Sequence, residues 1–101
     1  MSDDIQINLT LSRDGPDHMD FRDTYAGLAN PWYQFTADAK GNIDLWANAD
    51  GFEHLARYFL KMARSGKSSG FHSHHPLEFG APTPAAPELT IGIKPAPDDA
   101  G

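Results

Sequence analysis

The sequence contains no cysteine. Disulfides, thiolate nucleophiles and cysteine-bound zinc are therefore excluded. It contains no apolar run long enough to cross a bilayer. Positive charge is scarce: eight Lys and Arg stand against fourteen Asp and Glu, a net charge of −6. Residues 1–50 hold nine acidic against three basic side chains, and residues 51–101 hold five of each. The excess therefore lies entirely in the first half. Such a field disfavours nucleic acid and anionic membranes and favours a cationic partner, besides keeping a small domain soluble. Met1-Ser2-Asp3-Asp4 lacks the basic and apolar regions of a signal peptide. A cytoplasmic location is the simplest expectation.

What remains fits one small domain. Asp4-Ile5-Gln6-Ile7-Asn8-Leu9-Thr10-Leu11 alternates without a fault, which predicts a strand with one buried face. Residues 12–31 hold Gly15-Pro16, Asn30-Pro31 and the aspartates Asp14, Asp17, Asp20 and Asp23, and read as a long acidic loop with at most one irregular turn. Trp32 to Asp38 favours a strand, Ala39-Lys40-Gly41-Asn42 a tight turn, and Asn42 to Asn48 the returning strand of a hairpin.

Asp50-Gly51-Phe52-Glu53 fits a capping box, with Asp50 as N-cap. A helix follows to Ser65-Gly66. Phe52, Leu55, Ala56, Phe59, Met62 and Ala63 share the apolar face; Glu53, His54, Arg57, Lys61 and Arg64 share the polar one. Gly70 to His75 predicts a strand stopped by Pro76, Leu77 to Pro87 an extended loop, and Glu88 to Lys94 a last strand. One domain over residues 1–94 with a frayed tail at 95–101 is expected.

The resulting order is β-β-β-α-β-β. It predicts an α+β fold: a four- to five-stranded, mainly antiparallel sheet with one amphipathic helix on one face. The helix would cover Ile5, Ile7, Leu9, Leu11, Tyr33, Phe35, Ile43, Leu45, Phe71, Leu89, Ile91 and Ile93. Alternation then assigns Gln6, Asn8, Thr10, Trp32, Gln34, Thr36, Asp44, Trp46, His72, His74 and Thr90 to the uncovered face. Both tryptophans fall there. They read either as anchors of a binding surface or as rings packed under loops.

His72-Ser73-His74-His75 places two imidazoles on one side of a strand. A first-row metal wants three or four ligands; Asp44 is the obvious third donor, but no His-x-Glu or His-Glu-x-x-His pattern supports a site, so solvated or hydrogen-bonded histidines are the expectation. The serines lack a nucleophile elbow. Gly66-Lys67-Ser68 resembles a Walker ending, but Lys61 stands where the first glycine belongs, and the run closes a helix where a P-loop opens one. No catalytic residue, metal or cofactor is expected.

Asp50-Gly51-Phe52-Glu53-His54-Leu55-Ala56, then Gly70-Phe71-His72-Ser73-His74-His75-Pro76-Leu77, then Pro87-Glu88-Leu89-Thr90-Ile91 resembles small immunity proteins of bacterial polymorphic toxin systems. In particular it resembles the family numbered thirty-two. The resemblance spans residues 50–93 and implies a protein that binds and neutralises a cognate toxin without catalysis. A basic toxin would meet Asp14, Asp17, Asp20 and Asp23 together with Trp32, Gln34, Asp44, Trp46, His72 and His74. The rival contact is the cationic helix stripe Arg57, Lys61 and Arg64. The alternatives in function are a metal- or ligand-binding domain using His72 and His74, and a structural accessory subunit. Oligomeric state is left open.

Overall fold

The computed structural model describes residues 3–15, 18–80 and 88–97. Asp17, most of the Pro-rich loop (81–87) and the end of the tail (98–101) lie outside them. The chain is α+β. Its elements are α1 (Arg22–Tyr25), β1 (Tyr33–Ala37), β2 (Ile43–Ala47), α2 (Ala49–Ala63), β3 (His72–Pro76), β4 (Glu78–Phe79) and β5 (Glu88–Gly92). All strand pairs are antiparallel, in two small sheets of order β2-β1-β4 and β3-β5. Among the described residues, no helix is long and apolar enough to cross a membrane.

The hairpin forms as its sequence dictates. Tyr33 stands opposite Ala47, and Ala37 opposite Ile43. Asp38 organises the turn: its carboxylate accepts from the backbone N–H groups of Lys40 and Asn42, each at 2.9 Å. Gly41 supplies the positive φ, 87°, that the reversal needs. After β3 the chain changes sheet at Leu77, whose carbonyl accepts from Phe35 N at 2.8 Å. β4 then pairs with β1. The Tyr33 hydroxyl donates to the Pro76 carbonyl at 3.1 Å, a further tie between the sheets.

Three expectations need correction. The first is strand count and order. Asp4 to Leu11 is not a strand, α1 precedes the hairpin, β4 is an addition, and two sheets replace the single one. Alternation supplies an amphipathic ribbon, but a strand exists only beside another. Here Ser12 is bound to Asp23 and Lys61, and the chain before it runs along α2, where Leu9 and Leu11 share a groove with Leu60 and Arg64. Ile5 and Ile7 are left 84% and 69% exposed.

The second is the helix start. Asn48, not Asp50, is the N-cap; its side-chain oxygen accepts from Gly51 N at 2.7 Å and from Trp32 N at 3.1 Å. Asp50 instead accepts from Asn30 N at 3.0 Å. A Cβ on Gly51 would fall on the Trp32 carbonyl oxygen, so glycine lets the helix start this close to the hairpin.

The third is the buried face of α2. It consists of Gly51, His54, Leu55, Tyr58, Lys61 and Met62. Phe52, Ala56, Phe59, Leu60 and Ala63 are exposed. The expected face is rotated because the core is built from aromatic and hydrogen-bonding side chains rather than aliphatic ones. Tyr58 and Met62 join Met19 with Phe21, Phe71, Ile91 and Ile93 packed round them. His54 stacks on Phe79, with ring centroids 4.7 Å apart, and Phe79 stacks on Tyr33. Ile43 and Leu45, expected in the core, are exposed on β2.

Candidate protein-binding surface

The acidic loop is built around one buried cation. Lys61 is 3% exposed, and its Nζ reaches Asp23 at 2.7 Å, Asp14 at 2.9 Å, Ser12 Oγ at 3.0 Å and the Asp20 carbonyl at 2.5 Å. Burial alone would lower the Lys61 ammonium, but bonds to Asp23 and Asp14 outweigh it and hold it above its usual value. The same bond to Lys61, helped by the Asp20 N–H, holds Asp14 well below the carboxylate range. Burial would raise Asp23, yet Lys61 and Ser12 bring it below its ordinary value. Asp20 forms a fork with Arg22, which brings it down to about 2. Lys67 fastens the loop a second time, donating to the carbonyls of Gly15 and His18.

Asp14, Asp20 and Asp23 are therefore engaged internally, and Asp17 lies outside the described residues. The rival helix stripe is also divided. Lys61 is buried, and Arg57 is held by Glu53 and the Ala26 carbonyl, so Arg64 is its freely exposed member.

The uncovered sheet face is split between the two sheets. Gln34 stands opposite Trp46, and Asp44 opposite Thr36, on β1 and β2. His72 and His74 lie on β3 of the other sheet, opposite Gly92 and Thr90 of β5. The two tryptophans differ. Trp32 is half-buried and its indole N–H donates to Glu78 Oε2 at 2.7 Å, bracing β4 against β1. Trp46 stays 62% exposed on the outer strand β2, on the same face as Asp44, while Ile43, 73% exposed, lies on the opposite face of that strand.

His72 Nδ1 lies 3.0 Å from the Gly70 carbonyl, and His74 Nδ1 lies 3.1 Å from Glu88 Oε2. Their rings meet edge to face at 5.1 Å. Among the described residues, no group of three His, Cys, Asp or Glu is placed to hold a metal.

Sequence reasoning missed the buried His54 and the half-buried His75. His54, 6% exposed, lies 2.9 Å from Thr24 Oγ1. That hydroxyl has one proton, and the Phe21 carbonyl takes it at 2.6 Å, so His54 Nδ1 is the donor in the second bond. His75 Nε2 lies 2.7 Å from Ser73 Oγ, which also bonds the Tyr58 hydroxyl. The available signal was spacing: His54, Tyr58 and Lys61 share one helix face, and three nearby aspartates need a cation.

Comparisons of the chain with protein-family models, with curated proteins and with solved structures return no match.

Proposed function

We propose that this chain acts by binding another protein, and specifically as an immunity protein that captures and neutralises a cognate bacterial toxin in the cytoplasm, with no catalysis of its own. The observation that carries the reading is Trp46, 62% exposed on a sheet edge, on the same face as Asp44 and opposite Gln34. An exposed tryptophan on a short strand is the side chain most enriched at interface anchors, where its ring can be desolvated by a partner. The resemblance over residues 50–93 supplies the class of partner. The net charge of −6 favours a basic toxin.

The interface centres on Trp46, Gln34 and Asp44. The aspartates tied to Lys61 support its scaffold. The test is capture of the product of the neighbouring reading frame by the purified chain, followed by binding kinetics. Trp46→Ala is expected to raise the dissociation rate about 30-fold, equivalent to about 2 kcal/mol. Asp44→Asn is expected to slow association in a salt-dependent way. Failure to bind or inhibit the neighbouring product removes the immunity reading; unchanged kinetics in Trp46→Ala moves the interface elsewhere. Elemental analysis of untagged protein tests the metal reading. Less than one equivalent of zinc, nickel or copper is expected, and one equivalent lost in His72→Ala would replace the proposal.

A further inference from the structure

The stripe of α2 that the fold leaves in water has an internal pattern. Phe52 is 51% exposed, Phe59 is 47% exposed, and Ala56 and Ala63 are exposed beside them. The spacings are four, three and four residues, which place the side chains along one narrow line of a helix. Leu60, 49% exposed, widens that line on one side. Large and small residues alternate along it. Read backwards, Phe-Ala-Phe-Ala becomes Ala-Phe-Ala-Phe.

We infer that this stripe is the contact surface for a second copy of the same chain, packed antiparallel through α2. A two-fold axis crossing the helix between residues 57 and 58 sets Phe52 against Ala63 of the partner copy, and Phe59 against Ala56 of the partner copy. Each ring then fills the space over a methyl group, and the helices approach closely. A parallel pair would instead stack Phe on Phe and leave Ala facing Ala.

Charge favours the same orientation. Asp50 lies in the first turn of α2 and Glu53 just beyond it, with Arg64 at the other end. Antiparallel packing brings Arg64 of one copy beside Glu53 of the other, twice per dimer, and opposes the two helix dipoles. The Glu53 side chain is 42% exposed despite its bond to Arg57, so it remains within reach of a second cation. The two half-exposed rings, Leu60 and the alanines amount to roughly 400 Å² per copy, less than a permanent dimer buries and in the range of a weak, transient contact. The dimer is therefore reversible and concentration-dependent. It leaves the Trp46 surface to the toxin and does not rest on the immunity reading.

Sedimentation equilibrium on the full chain tests this, expecting a mass that rises from 11.1 kDa toward twice that value with concentration. Phe59→Glu and Ala56→Arg, both at exposed positions, should weaken the dimer at least tenfold while circular dichroism stays unchanged. Glu53→Arg and Arg64→Glu should each weaken it, and the two together should restore it. Because the chain has no cysteine, orientation is read by oxidation. Phe52→Cys mixed with Ala63→Cys should cross-link, and either variant alone should not. A monomer at every concentration, a dimer indifferent to Phe59→Glu, or cross-links within a single variant would each overturn the proposal. Toxin binding is measured separately, so a monomer that still binds toxin refutes the dimer alone.

Discussion

Two sets of side chains, two histidines and two aspartates, each lose their contribution to stability as the solution is acidified, but in different pH ranges. His54 and the half-buried His75 are held below their usual value by burial, with His75 lowered further by His54 and His74. The unfolded chain takes up protons near 6.5, before the folded chain does, so stability is full above that value and drains as pH falls below it. Asp14 and Asp23 are depressed, so their contribution is intact above 3.8 and is lost as pH falls toward their folded values. Melting temperature should therefore drop between about pH 8 and pH 5, and His54→Gln should flatten that slope relative to its own value at high pH. A parent whose melting temperature is constant over that range would refute the histidine assignment. Lys61→Met removes the cation on which the loop closes and strands two carboxylates. A loss of about 2–4 kcal/mol in urea unfolding is expected. A variant as stable as the parent would show the tie to be ornamental.

At the scale of elements, α2 separates what was legible from what was not. Its existence, length and neighbours were readable, because a long periodic segment between a turn and a glycine allows little else. Of the face it buries, Leu55 and Met62 were legible and the rest was not. Phe52 and Phe59 outrank His54 and Lys61 on any hydrophobic count, and tertiary bonds reversed that ranking. The expected costs follow from the observed face: Tyr58→Ala should lose about 3–5 kcal/mol, whereas Phe59→Ala should lose less than about 1 kcal/mol when measured on dilute protein. Gly51→Ala should also destabilise, although alanine is the better helix former, because the new methyl meets the Trp32 backbone. Stabilisation by Gly51→Ala would mean that the hairpin and helix sit farther apart.

For the whole molecule, the α+β class and the central hairpin were legible, and so were β3 and β5 as strands, though not their pairing with each other. Their division into two sheets was not, since it depends on Leu77 carrying the chain across and on Glu78-Phe79 being drawn onto β1. The candidate surface suffered in the same way. Trp32, Trp46, His72 and His74 shared a face only while one sheet was assumed. Of the four loop aspartates, the three described are bound internally, because a loop this acidic folds only round cations of its own.

Residues 5–11 form no backbone hydrogen bond within the described chain, whereas the Ser12 amide is held by Asp23 at 2.9 Å. Amide protons without acceptors trade with deuterium at close to the unstructured rate, and a protease takes the same open backbone into its cleft. Exchange should therefore be fast up to Leu11 and slow abruptly at Ser12. Limited digestion should shorten the chain to that point and stop, with Trp46 emission unaltered and the melting temperature lowered only by the loss of Leu9 and Leu11 from the α2 groove. Slow exchange across Ile5 to Leu11 in the free protein would mean that the ribbon finds a strand to pair with in solution. The cooperative unit of this fold starts at Ser12, where the backbone is first tied to the rest.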